Sequence, residues 1–285
     1  MSCRFWGLVL GLFQLAATAW GQASYVGTVG GAPVELALDG TAEGTVDGVY
    51  FYPRFGTPIA LTGQLKRGVL TLTEEDARGK ASATLTVPKF SAGANQLVGT
   101  WRSLATGKSL PITLAASNSR ELLQRAVLKD SYFKLVLDGQ SDGANDHVVA
   151  VKLLAKKTNQ LVQQVAVDCQ SHGVYSVEVG DYNFDGQPDF SVFESSYAGP
   201  NTSSLYFLYD PARRQFVNSG YAGVSLEFDQ KKKRIYERNS CCAGSSVTTA
   251  EYKVVRNKMV LLAQHCYRWD EKKQQLVERP ASACQ

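Results

Sequence analysis

Between residues 24 and 115 the chain is written in short alternating runs: "YVGTVG", "PVELALD", "TVDGVYFYP", "PIALTGQL", "GVLTLTE", "SATLTVP", "LVGTWRS" and "LPITLA". Gly, Pro, Asp and Asn punctuate them. Alternation with a period of two sends successive side chains to opposite faces, so each run specifies a strand with one apolar face. Evenly spaced short strands with turn signals between them predict an all-β unit, and closing the meander into a small antiparallel barrel leaves no unpaired edge. Trp101, in "GTWRS", falls on a late strand, where a large aromatic would plug one end of such a barrel.

Residues 116–131, "ASNSRELLQRAVLKDS", carry a different spacing. Leu122, Leu123, Ala126 and Val127 fall on one helical face behind a cap at Asn118 or Ser119, which predicts a short linking helix. From residue 132 to 285 strand patterns return. The turns "KKTNQ", "DPARRQ", "DQKKKR", "RNK" and "DEKKQQ" join runs such as "YFKLVLD", "VYSVEV" and "SLYFLYD" as hairpins. Hairpins in series predict a second all-β unit, either a propeller-like stack or a sandwich.

The N-terminus, "MSCRFWGLVLGLFQLAATAWGQAS", has a basic start, an apolar run and then small residues. That is the plan of a signal peptide over residues 1–23, and the run is too short to span a bilayer. The mature chain is expected outside the cytoplasm, periplasmic or extracellular, with no transmembrane segment. Export makes Cys169, Cys241, Cys242, Cys266 and Cys284 disulfide candidates. Pairing of Cys266 with Cys284 would pin the C-terminal tail, and Cys169 could pair with Cys241 or Cys242. The formal charge of +4 is spread along the chain. No basic patch argues for nucleic acid, and "QKKKR" at 230–234 reads as a solvated turn.

The densest chemistry lies in "DYNFDGQPDF", residues 181–190. Asp181, Asn183 and Asp185 put oxygens at positions 1, 3 and 5. Gly186 permits the tight turn at position 6, Gln187 offers its backbone carbonyl at position 7, and Asp189 closes at position 9. The first six positions match the front of an EF-hand loop, D-x-[DN]-x-[DN]-G. An EF-hand has Glu at position 12, whereas this chain has Val192, and the flanks read as strands. The pattern resembles the calcium loops of integrin-type propellers. It predicts a Ca²⁺ site with a structural role, since three close carboxylates repel one another until a cation ties the two strands together. Zinc is disfavoured by the absence of His or Cys in the loop.

His147, His172 and His265 belong to no hydrolase or metalloprotease motif, and there is no G-x-S-x-G or H-E-x-x-H. The expectation is a binding protein and not an enzyme. Residues 132–285, with the calcium loop followed by "SVFESSYAGPNTSSLYFLYDPARRQF", resemble a bacterial periplasmic family whose best-known members are immunity proteins. Those proteins protect cells from lysozyme-like peptidoglycan hydrolases delivered by type IV secretion. The resemblance implies a propeller-like calcium domain similar to inhibitors of invertebrate-type lysozyme, and a peptidoglycan hydrolase as partner. It also implies a plug loop of small residues and a tyrosine, which maps onto Ser195, Ser196, Tyr197 and Gly199. Here the loop reads Ser-Ser-Tyr-Ala-Gly where the family has Ser-Gly-x-Tyr. The N-terminal unit resembles lipocalin-like and avidin-like barrels through its strand count and Gly-x-Trp. Two other functions stay open at this point: a structural or carbohydrate-binding surface module, and a small-ligand carrier working through the barrel.

Overall fold

The computed structural model describes residues 22–41, 43–76, 78–91, 93–139, 146–197 and 199–284. Residues 1–21, which hold nearly all of the expected signal peptide, lie outside the described residues. All eight expected N-terminal strands form: β1 (Ala23–Val29), β2 (Ala32–Gly40), β3 (Thr45–Phe51), β4 (Ile59–Lys66), β5 (Val69–Glu75), β6 (Ala81–Val87), β7 (Gln96–Ser103) and β8 (Ser109–Ala116). Each pairs antiparallel with the next, and β1 pairs with β8 to close the barrel. The first strand starts at Ala23, inside the range read as signal peptide.

Alternation decides what fills the barrel. Leu36 and Leu38 of β2, Tyr50 of β3, Leu61 of β4, Leu72 of β5 and Leu85 of β6 all point inward and are buried. Trp101 packs against this core, as its position in the sequence suggested. Its indole N–H donates to Glu74 Oε2 at 2.9 Å, and the Tyr50 hydroxyl donates to the same oxygen at 2.5 Å. An interior occupied by its own side chains leaves no room for a carried molecule. Such a filled interior speaks against the small-ligand carrier reading.

The expected helix over 116–131 is not formed. Residues Glu121–Val127 are a strand, β9, paired with β10 (Ser131–Leu137). The sequence there is rich in good helix formers, but intrinsic propensity is a weak prior that tertiary pairing overrides. Gln124 shows what the strand gains. It is fully buried, its side-chain N–H donates to the Gly173 carbonyl at 3.1 Å, and its side-chain oxygen accepts from the Val177 amide at 3.2 Å. Among the described residues there is no α-helix at all.

The remaining strands are β11 (His147–Ala155), β12 (Leu161–Gln170), β13 (Val177–Gly180), β14 (Asp189–Ser196), β15 (Thr202–Asp210), β16 (Gln215–Asn218), β17 (Glu227–Asp229), β18 (Arg234–Cys241), β19 (Ser246–Val255), β20 (Lys258–Asp270) and β21 (Gln275–Arg279). They make three antiparallel meanders: β9 to β12, β13 to β16, and β17 to β21. No strand pairing joins one of these sheets to another.

The barrel is not an appendage. While the inward residues of β2 and β3 fill it, the outward ones, Ala37, Val49 and Phe51, join the core built by Phe133, Leu135, Val151, Phe190 and Val192. Polar contacts ring this shared core. Lys134 Nζ lies 2.8 Å from Glu35 Oε2 and 3.5 Å from Glu121 Oε2, and Lys152 Nζ lies 2.6 Å from Glu121 Oε1. The Asn159 side chain donates to the Pro53 carbonyl at 2.8 Å.

Glu121 gives this junction a pH dependence. Burial disfavours its charged form, but the hydrogen bond to Lys152 and the charges of Lys134 and Lys152 outweigh it, so its carboxyl titrates below the usual range. A folded pKa below the unfolded one means that the contribution to stability is present above the ordinary value of 4.5 and is lost as pH falls through the folded value. Glu121→Gln should cost about 1 kcal/mol at neutral pH and flatten the loss of stability below that point. Urea midpoints of both proteins, taken down to about pH 3, measure this. Parallel curves would remove Glu121 from the acid response.

Candidate cation loop and recognition loop

Residues 181–189 connect β13 to β14, which pair antiparallel on either side of the loop, with Gly180 opposite Asp189. The flanks are strands, as the sequence indicated. Gly186 has φ +86°, a left-handed conformation that a side chain would strain. The loop carboxylates turn onto the backbone. Asp181 Oδ1 accepts from the Asp185 amide at 3.0 Å, and Oδ2 accepts from the Gly186 amide at 2.8 Å. Asp185 Oδ1 accepts from the Gln187 amide at 2.8 Å. Asn183 Oδ1 accepts from the Asp185 amide at 3.2 Å, while its side-chain N–H donates to Asp185 Oδ2 and to Asn257 Oδ1.

Asp189 is the innermost member and is fully buried. Its two oxygens accept from the amides of Tyr182 at 2.9 Å and Tyr209 at 2.8 Å, so it bolts the loop to β15. Burial pushes its carboxyl up to about 6. The two amides oppose that shift, and the negative charges of Asp185 and Asp181 add to it.

Two residues of the β17–β18 turn hold the loop from outside. Gln230 donates to the Asp181 carbonyl at 2.8 Å, and Lys233 Nζ donates to the Phe184 carbonyl at 3.1 Å. The basic run read as a solvated turn is indeed the β17–β18 turn, but one of its lysines is engaged.

Among the described residues no three His, Cys, Asp or Glu side chains converge as a metal-holding group. The loop supplies oxygens only, which suits a hard cation in type. Tyr221 packs in a cluster with the loop's own Tyr182 and Phe184, and its buried hydroxyl has no hydrogen-bond partner among the described residues. The donors suit a hard cation in type, while the oxygens of Asp181, Asp185 and Asp189 accept from backbone amides.

The candidate recognition loop follows β14. Ser195 is half-buried, and Ser196, Tyr197 and Gly199 are exposed, with Tyr197 52% accessible. The structure brings these residues together at one turn, held by the Tyr197 amide donating to the Asn201 carbonyl at 2.9 Å. Ser203 links to both neighbours: its hydroxyl lies 3.0 Å from that of Ser195 and donates to the Tyr197 hydroxyl at 3.2 Å. The anchor was not foreseen. Asn201 is buried, donates to the Ser240 carbonyl at 2.8 Å and accepts from the Ser240 amide at 3.0 Å. Nothing in the sequence around Asn201 carries a signature of a partner on β18. Beside the loop, β13 to β15 and the segment before β17 line a groove of about 560 Å³. Ser191, Ser203, Ser225, Tyr206 and Phe228 are among its walls.

The cysteines settle differently from one expectation. Cys266 and Cys284 pair, with their Cα atoms 5.8 Å apart, and hold the C-terminal turn Ala281–Cys284 onto β20. Cys241 and Cys242 pair with each other at the end of β18. Cys169 pairs with neither. It is a buried free thiol on β12, whose pKa is pushed up to about 12 by burial and then by the charge of Glu194. It is part of the core shared with the barrel.

No protein-family model matches this chain, and no curated protein matches it. Several solved structures overlap it loosely. A Xanthomonas type IV secretion system related protein is 13% identical with a TM-score of 0.28, over 91% of this chain and 99% of that one. Kuenenia stuttgartiensis hydrazine synthase is 8% identical with a TM-score of 0.29, over 96% of this chain and 99% of that one. A protein from Lactobacillus plantarum is 11% identical with a TM-score of 0.26, over 91% of this chain and 95% of that one. Likeness at this level carries no argument about fold or function.

Proposed function

We propose that this chain is an exported, calcium-stabilised binding protein that inhibits a lysozyme-like peptidoglycan hydrolase, acting as an immunity protein and not as an enzyme. The observation that carries the reading is the loop of residues 195–199. It presents an exposed tyrosine among small residues, on a turn braced by Asn201 and by the strands behind it. A small-residue loop with one aromatic suits insertion into a sugar-binding cleft, because tyrosine can stack on a ring and also exchange a hydrogen bond. Bracing lowers the ordering cost of such an insertion. In this reading the loop of residues 181–189 holds Ca²⁺ through Asp181, Asn183, Asp185, the Gln187 carbonyl and Asp189, and fixes the strand that leads to Tyr197.

The test is a cell-wall lysis assay against lysozymes of each class, with the protein and with its Tyr197→Ala variant. The protein should suppress lysis by one class, and the variant should lose at least about tenfold in potency, the scale of an interface anchor. Its melting temperature should be unchanged, since the ring is half exposed. Absence of inhibition of every class removes the reading. The hydroxyl-lined groove favours a second one, a carbohydrate-binding surface module. Binding to glycan fragments without inhibition would select it.

A further inference from the structure

The sheet of β13 to β15 uses its two faces differently. Val177, Phe190, Val192 and Phe207 turn to the core. The alternate positions turn the other way and line the groove of about 560 Å³: Glu178 on β13, Ser191 and Phe193 on β14, and Ser204 and Tyr206 on β15. They lie in rows across the strands, with Glu178 opposite Ser191, Ser191 opposite Tyr206, and Phe193 opposite Ser204. Glu227 and Phe228 of β17 line the groove as well, from the third meander. A sheet face closed by another layer is apolar, and one left to water is polar without rings to spare. This face carries hydroxyls and rings together. Seven of the residues that line the groove are Ser or Thr and two are Glu, and among the described residues neither Lys nor Arg lines it. Phe193 is half-buried and packs on the exposed ring of His172, with centroids 4.8 Å apart, so an apolar platform stands among the hydroxyls. The volume falls within the range of about 300–1,000 Å³ usual for small-molecule sites.

We propose that this groove binds a short neutral glycan, with Phe193 as the surface on which a sugar ring stacks. The inference deepens the carbohydrate-binding reading and is independent of hydrolase inhibition. Sugar hydroxyls both donate and accept, and the Ser and Thr hydroxyls match them in kind, while the carboxylates of Glu178 and Glu227 accept from them. The C–H face of a sugar ring packs on the Phe193 platform. Two carboxylates with no cation among the lining residues repel an acidic sugar chain, which makes the site selective for a neutral one. Both β14 and β15 are paired on each side, so they offer side chains and no free backbone, which suits a ring-shaped ligand better than a peptide added as a strand. Ser196 and Thr202, which flank the turn that bears Tyr197, also line the groove. A glycan lying in it reaches the foot of that turn.

The test is calorimetric titration of the protein with three trisaccharides: the neutral N-acetylglucosamine trimer, the cationic glucosamine trimer and the anionic galacturonic acid trimer. The neutral trimer should bind with a Kd below about 1 mM, at least about tenfold tighter than the anionic one. Ser204→Leu, which fills the groove, should weaken that binding at least about tenfold, whereas Tyr197→Ala should leave it unchanged. Glu178→Lys changes an exposed side chain and keeps the fold, and it should erase the discrimination against the anionic trimer; this variant carries the test if Ser204→Leu melts early. A neutral trimer that does not bind, or binds no tighter than the anionic one, overturns the proposal. Binding of the glucosamine trimer alone means recognition by charge and overturns it too. If Tyr197→Ala abolishes binding and Ser204→Leu does not, the glycan sits on the loop and the groove loses its role. No hydrolase enters these titrations, so failure of the inhibitor reading leaves their result standing.

Discussion

Replacing Gly56 by alanine should lower stability by about 3 kcal/mol, combining backbone strain with a forced shift at a packed contact. Gly56 ends the short turn after β3 at φ +60°, and a Cβ there would lie 1.8 Å from the Lys156 carbonyl oxygen and 2.7 Å from the Lys156 Cα. Both are backbone atoms, so no rotamer change relieves the clash. The turn after β11 would have to move away from the barrel, taking with it Asn159 and its bonds to Pro53 and Tyr132. At roughly 3 °C per kcal/mol for a chain of this size, the melting temperature should fall by about 10 °C. Gly107 supplies the control. It has a similar φ of +68°, but nothing lies within 4 Å of its added Cβ, so its alanine variant should show strain alone, about 1 kcal/mol. Equal losses for the two variants would mean that close approach at Gly56 contributes nothing to holding the barrel on the rest of the chain.

Asp189→Ala should be of similar size, about 3 kcal/mol, and for a reason independent of any cation. The carboxylate is fully buried and satisfies the amides of Tyr182 and Tyr209. Alanine leaves both donors buried and unpaired, at about 1–3 kcal/mol each before relaxation. Asp189→Asn keeps one acceptor and should lose about half as much. Chemical denaturation in chelator isolates this effect from metal binding. If Asp189→Ala unfolds at the wild-type midpoint in chelator, the residue matters only as a ligand, and the bolt to β15 described above is not one.

The barrel was legible because every strand obeyed one rule. Alternating apolar residues, punctuated by Gly and Pro, leave a short segment few ways to bury one face, and β1 to β8 all fall where that pattern places them. The strand β9 was not legible for the opposite reason. Its Glu, Leu, Gln, Arg and Ala are good helix formers, and what makes it a strand is β10 on one side and Gly173 with Val177 on the other, all contacts made later in the chain. The loop of residues 181–189 could be found because its donors are contiguous. Its outer contacts, Asn257, Gln230 and Lys233, come from up to 74 residues away and carry no local signature. Cys169 shows the same limit, since pairing potential depends on which cysteines meet in space and that is a property of the finished fold.

The two-sided use of β2 and β3 has a consequence for how the molecule is assembled. Seven of the barrel's eight strand pairings join neighbours in sequence and only β1–β8 spans the unit, and during synthesis the barrel leaves the ribosome first. Ala37, Val49 and Phe51 then stand as an apolar patch on its outer wall until Phe133, Leu135 and Val151 arrive to cover them. The finished barrel thus acts as the template on which β9 to β11 lay down. A chain interrupted before residue 131 would leave a well-formed barrel with one sticky wall.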